Sequence, residues 1–361
     1  MGSPPGERAI TGTQWLFPIS ALAKTPSRQT SNIPLEKELY DRARGVEFLF
    51  RIAVSLVLPS SAMLTAATWF HRFYMRYSLE DYHRQASDGA ACIFLATKTE
   101  ECGRKLRDVA KIYFSKINRI DPKELSDDSK EIEDAQIVIL ATEEVLLEAL
   151  CFDFVVESPH KDLVELFDAR DESFDLQECA WSIANDSYRT PLCILFRPAI
   201  IAAACYILAQ YMTEGPQSTS LSERIASPAP SASLPTPPTQ HPMSSQSARF
   251  AIEFFKFNEM DLSSLGEAIT IILEFYGAQD IQDSAAYLAG VASVTPPSAH
   301  PNREHMYLPL AHVIPQISHI PSGSNNEQQT TSESTPGSQE WKPATEDRHT
   351  KPKISDRLDL S

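Results

Sequence analysis

The sequence predicts an all-α protein, and three observations carry that reading. Apolar residues recur at spacings of three and four along most of the first 280 residues. No stretch shows sustained strand-type alternation. Pro, Ser and Gly stand where helices would begin and end.

Residues 1–34 hold Pro, Ser and Thr with a few anchors, Trp15, Leu16 and Phe17, and read as a mostly extended, disordered arm. From Leu35 to about Leu58, Val46, Leu49, Ile52, Ala53 and Leu56 recur at helical spacing. Pro59-Ser60-Ser61 then breaks the chain and offers an N-cap for a second helix to about Arg76. A third runs from near Ser87 to Glu101, with Gly103 as its stop. A fourth, basic and amphipathic, covers Arg104 to about Lys116. After an acidic loop at 126–129 comes Ile137–Leu150, apolar on almost every side, which predicts a central helix enclosed by others.

The pattern then begins again. Ser158-Pro159 starts a helix to Asp168, since Pro is tolerated at the first helical position. Others span about Asp175–Tyr188, Pro198 onward (rich in Ala and Ile) and Asp261–Tyr276. The Pro, Ser and Thr of 214–247 build no packed core and read as a disordered insertion. The predicted organisation is an arm at 1–34, a first helical fold at 35–155, a second at 156–280 and a disordered tail at 281–361.

Composition excludes several classes. A net charge of −16 over 361 residues argues against direct DNA binding, which draws affinity from Lys and Arg at phosphates. The six cysteines form no CxxC pair, so reduced core thiols are expected rather than a metal site or a disulfide scaffold. The first residues lack the apolar segment of a signal peptide. No apolar run approaches the roughly 18 residues of a membrane span.

Nothing marks an enzyme. His71 has no nucleophile motif to serve and reads as structural. Cys102-Gly-Arg-Lys105 lacks the phosphate-loop spacing. The cations Arg104, Lys105, Arg107, Lys111 and Lys116 read as a solvated helix face. The carboxylates show no acid/base pairing, and no cofactor or metal is expected.

One placement stands out. Glu143 falls in the row Ile139, Glu143, Leu146, Leu150, among buried positions, where a carboxylate is costly unless paired or kept for a partner. The run Ala90–Ala96 leads to Lys98 at a helix end, where the helix dipole favours a cation. Lys98 and Glu143 either close the bundle as an internal pair or face a partner, and the residues alone leave both readings open.

A resemblance bears on that choice. Gln14-Trp-Leu-Phe17 with Thr25-Pro-Ser27, Phe70-His-Arg-Phe-Tyr-Met75, Phe94–Glu101, Glu143–Phe154, Asn185-Asp-Ser187 and Arg197–Ala202 together resemble the transcriptional cyclins, the group of cyclin T and cyclin K. The resemblance covers roughly 15–277 and implies two tandem five-helix cyclin folds in a nuclear, non-enzymatic regulatory subunit. Its partner would be a cyclin-dependent kinase acting on the RNA polymerase II C-terminal domain in elongation. Carried over by position, Lys98 and Glu143 would hold the kinase's regulatory C-helix, and Leu147, Phe152 and Phe154 would pack on it.

There are departures from the family pattern. Thr99 replaces an aromatic frequent in cell-cycle cyclins, and Arg249–Phe255 stands where the group has a Trp pair. The alternatives are a cyclin of splicing or cell-cycle type, or a cyclin-fold scaffold of the TFIIB type. No Arg-Ser tail, destruction box or zinc ribbon is evident for any of them.

Overall fold

A computed structural model describes residues 13–80, 87–215, 218–226, 249–279, 294, 297 and 305–308. Among them every regular element is helical. The first group is α1 (Leu35–Ser55), α2 (Ser60–Phe73), α3 (Ser87–Thr99), α4 (Leu106–Asn118) and α5 (Lys130–Ala149). The second is α6 (Pro159–Ala169), α7 (Phe174–Ser187), α8 (Pro198–Glu214), α9 (Leu221–Ile225), α10 (Phe250–Phe255) and α11 (Glu259–Ala278).

The helix starts follow local chemistry. Ser158 caps α6 by accepting from the His160 N–H, with Pro159 at the first helical position. Asn258 and Asp261 form a reciprocal capping box on α11. One predicted stop moves. The left-handed residue ending α3 is Glu101 (φ 54°), whose turn is closed by Cys102 N–H donating to the Thr97 carbonyl, so Gly103 is not the cap.

Each group winds around one small-residue helix. α3 packs on α1, α2, α4 and α5, and its Ala90, Ala91 and Ala96 let those neighbours approach closely. α8 does the same for α6, α7, α9, α10 and α11 through Ala202, Ala203, Ala204 and Ala209. The enclosed helix of the first group is therefore α3. α5, expected there, exposes Ile137, Val138 and Leu140 on its outer side.

The two cores interpenetrate along α1, which gives Val46, Leu49 and Ile52 to the first and Leu39 and Ala43 to the second. Arg42 makes the seam polar but satisfied: it pairs with Glu38 at 2.8 Å and donates to the carbonyls of His71 and Tyr74 at 3.0 and 2.7 Å. Residues 13–34, read as extended chain, fold into short helical turns across both groups. Trp15 donates to Asp153 at 3.0 Å, and the Phe17 N–H donates to the Ile194 carbonyl at 2.8 Å.

Part of the predicted insertion is packed too. α9 carries its own capping box (Ser220 with Glu223) and buries Leu221 and Arg224. Residues 227–248 lie outside the described residues, as do 1–12 and most of the tail.

His71 is structural. Its Nε2 donates to the Tyr188 carbonyl at 2.9 Å, tying α2 to the end of α7. Burial, with the Arg42 charge adding, lowers its pKa from 6.5 to about 3. Unfolded, the ring takes up a proton near pH 6.5; folded, it does not until about 3. Stability should therefore fall as pH drops below 6.5, by about 2 kcal/mol between pH 7 and 5 from this group. Urea midpoints at the two pH values, wild type beside His71→Gln, measure it; an equal loss in both proteins would rule the histidine out as the cause.

The basic helix α4 is largely engaged within the chain. Lys111 and Arg107 meet Asp127 at 2.6 and 3.6 Å, and Arg104 donates to the Leu56 and Val57 carbonyls at 3.1 and 2.9 Å. Among the described residues no group of three His, Cys, Asp or Glu could hold a metal ion. No described helix is long and apolar enough to cross a membrane.

Candidate functional site: a docking face on α3 and α5

The face is built on α5, whose residues fall into two rows. Ile132, Ile139, Glu143, Leu146 and Leu150 point inward and are buried. Ile137, Leu140, Glu144, Leu147 and Cys151, at the three- and four-residue spacing of one helix side, form an outer row beside them. Leu140 is about half exposed and Leu147 partly so. The helix is apolar on two sides because one side meets the core and the next faces out.

Lys98, in the last turn of α3, meets Glu143 at this border, its Nζ 2.5 Å from Oε1. The two are unequally placed, the Glu143 side chain 8% exposed and that of Lys98 47%. The ammonium sits at ion-pair range of a carboxylate oxygen that is otherwise enclosed. The carboxylate is thus neutralised within the chain, and the exposed member of the pair, the Lys98 ammonium, has N–H donors left for acceptors from outside. Lys98 also lies over the Phe94 ring, 4.2 Å from its centroid, which steers its stem across the surface.

The chain leaving α5 supplies the aromatic part. Cys151 and Phe152 are both left-handed (φ 52° and 56°), a conformation that costs non-glycine residues energy and recurs at functional sites. The Phe152 N–H donates back to the Leu147 carbonyl at 3.1 Å, and the turn throws the Phe152 side chain outward, 64% exposed. Phe154 turns back instead, its ring edge-on to the buried Trp69 at 5.8 Å and to Phe152 at 6.3 Å.

Segment 153–155 is clamped from behind. Arg72 donates to the Val155 carbonyl at 3.0 Å and lies 5.0 Å from the Trp15 ring. At Asp153 burial opposes ionisation, but donors from Val155, Gln14 and Trp15, with the Arg72 charge, outweigh it and lower the pKa.

The structure thus brings all five predicted residues, Lys98, Glu143, Leu147, Phe152 and Phe154, onto or beside one face. They are not equivalent: Phe152 is a free anchor, whereas Phe154 is largely a strut beneath it. Sequence reasoning missed Ile137, Leu140, Cys151 and Val155, which extend the apolar frame. The outer row's spacing was the signal for the first three; it was absorbed into the expectation of an enclosed helix.

Two helical groups wound on small-residue helices, with an ion pair set in an exposed apolar frame on the first, have the arrangement of a cyclin fold. Residues 21–155 match the family of the cyclin N-terminal domain. Over about half of its length the chain is similar to proteins named cyclin K and cyclin T. It is 42% identical over 207 residues to Cyclin pch1 of Schizosaccharomyces pombe, covering 56% of this chain and 58% of that protein. To Cyclin-K of Danio rerio it is 34% identical over 199 residues, 54% of this chain and 45% of that protein. The chain thus spans about half the length of these relatives. In fold it is similar to a chain of the yeast RNA Pol II CTD kinase CTDK-1 complex, with TM-score 0.55, 16% identity and coverage of 88% of this chain and 94% of that one.

Proposed function

We propose that this chain is the regulatory, non-catalytic subunit of a cyclin-dependent kinase that phosphorylates the RNA polymerase II C-terminal domain in the nucleus and promotes elongation. One observation carries the reading: an ion pair between a buried carboxylate and a half-exposed lysine, framed by outward Leu140, Leu147 and Phe152. That frame suits an amphipathic helix laid across it, apolar side against the outer row and backbone or polar groups toward Glu143 and Lys98. The names of the relatives and the CTD-kinase complex of similar fold support the choice of kinase.

In this reading the face holds the kinase's C-helix inward, where its Glu pairs with the ATP-orienting Lys. Activation then equals the preference of the face for the inward over the outward helix. The chain supplies no reacting group.

Affinity purification of the tagged chain from the cells that make it, with identification of recovered proteins, tests the proposal. A cyclin-dependent kinase active on C-terminal-domain peptides is expected. Recovery of promoter factors or splicing kinases without it would overturn the assignment. Phe152→Ala sharpens the test. Since Phe152 is exposed, the thermal midpoint should stay within about 2 °C, while kinase affinity falls by about 1–2 kcal/mol, roughly five- to thirty-fold. Unchanged affinity in a titration of the purified kinase would remove Phe152 from the interface.

A further inference from the structure

Beyond the last described helix, His305–Leu308 lies against α11. Composition gave no reason to expect this, because the region reads as tail. The Met306 N–H donates to Glu274 Oε2 at 2.9 Å, and His305 Nδ1 is 3.0 Å from Glu274 Oε1. Met306 is buried, and Tyr307 is 8% exposed with its ring edge-on to Phe275 at 5.4 Å. On Phe275 also rests the Arg189 guanidinium, at 5.1 Å, and Arg189 reaches Glu47 of α1 at 3.6 Å. The charges of Arg42 and Arg189 both bear on the Tyr307 phenol. Tyr307 therefore fills a hollow at the seam, with the second core on one side and α1 on the other.

The fit is aromatic, not polar. The Tyr307 hydroxyl is buried without a hydrogen-bond partner, and so is Arg189 Nε. A buried unpartnered hydroxyl weakens a contact relative to a plain ring. Among the described residues the segment is held by the Met306 N–H and His305 on Glu274, by the buried Met306 side chain and by the Tyr307 ring. Because the segment belongs to the same chain, it competes for the hollow at a high effective concentration that a separate peptide must overcome.

We propose that the seam hollow formed by Glu274, Phe275 and Arg189 is a peptide-binding socket that recognises an apolar residue followed by an aromatic one. Its resident ligand is the chain's own Met306-Tyr307. The assignment is independent of the docking face on α3 and α5.

The test uses the full chain carrying Met306→Ala and Tyr307→Ala, and a fluorescent peptide of residues 303–310 as probe. The emptied socket should bind the peptide at least about tenfold more tightly than the wild type, where the tethered segment competes. A peptide with Tyr307→Ala should not bind. One with Tyr307→Phe should bind at least as well as the native peptide, because it leaves no orphan hydroxyl. Hydrogen exchange should also rise in α11 around Phe275 in the variant, with helix content retained, and fall again on adding the peptide. If the double variant loses helix content, Met306→Ala alone replaces it. Equal peptide binding by wild type and variant, or no binding by a folded variant, would overturn the socket.

Discussion

Glu143→Lys is expected to abolish kinase activation while leaving the chain helical. Two ammonium groups would then meet where Lys98 Nζ now stands 2.5 Å from a carboxylate. Truncating or reversing one member of a desolvated interfacial charge pair costs about 2–5 kcal/mol of binding, at least about thirty-fold in affinity. The informative control is the charge swap Lys98→Glu with Glu143→Lys. If the pair only closes the bundle, the swap restores an ion pair and with it both stability and activity. If the two groups face the partner, the swap restores stability but presents reversed charge to the kinase, and activity stays lost. Thermal midpoints and kinase assays on wild type, single and double variants separate the two cases. Full activity in the swapped protein would sink the docking face as drawn.

That experiment settles what the sequence left open, and the reason it was open is physical. Periodicity reports which residues of a helix share a side, so the inward row through Ile139, Glu143 and Leu146 was legible, as was the place of Lys98 at a helix end. Periodicity does not report what each side meets. α5 is apolar on its outer side as well, and from sequence alone such a helix looks enclosed. The helix that is enclosed, α3, is distinguished by the small residues that let four neighbours close on it. Composition misled at both ends for a related reason. Residues 13–34 and 305–308 are poor in the patterns that build a core, yet both dock on a core built elsewhere, through Trp15, Phe17, Met306 and Tyr307. A few anchors suffice for a segment that only has to fill a groove. The left-handed turn at Cys151 and Phe152 was equally invisible, since neither residue advertises that conformation.

The largest stability effect is expected at Arg42. An i,i+4 Glu–Arg pair on a surface helix contributes little, and Glu36-Lys-Glu-Leu-Tyr-Asp-Arg42 has the composition of such a surface run. In the fold both partners are fully enclosed, Glu38 1% and Arg42 0% exposed, because the N-terminal half of α1 is covered by residues 13–34 on one side and by the second core on the other. The guanidinium satisfies Glu38 Oε1 twice, at 2.8 and 3.0 Å, and the Thr25 hydroxyl donates to Oε2 at 2.6 Å. The same guanidinium donates to the carbonyls of His71 and Tyr74 at the end of α2. Arg42→Met keeps much of the volume but strands a buried carboxylate and two helix-end carbonyls. Breaking a buried pair in this way costs about 3–5 kcal/mol. In a protein of this size that lowers the thermal midpoint by on the order of 10 °C. Adding Glu38→Gln should recover part of the loss, because the stranded group no longer carries charge while its bond from Thr25 persists. The melting curves should show the loss in the second helical group as well as the first, since α1, which carries the pair, lends Leu39 and Ala43 to the second core and Val46 and Leu49 to the first. A midpoint within about 2 °C of wild type in Arg42→Met would mean that water reaches the seam and that the pair is no more than a surface bridge in a fold that closes without it.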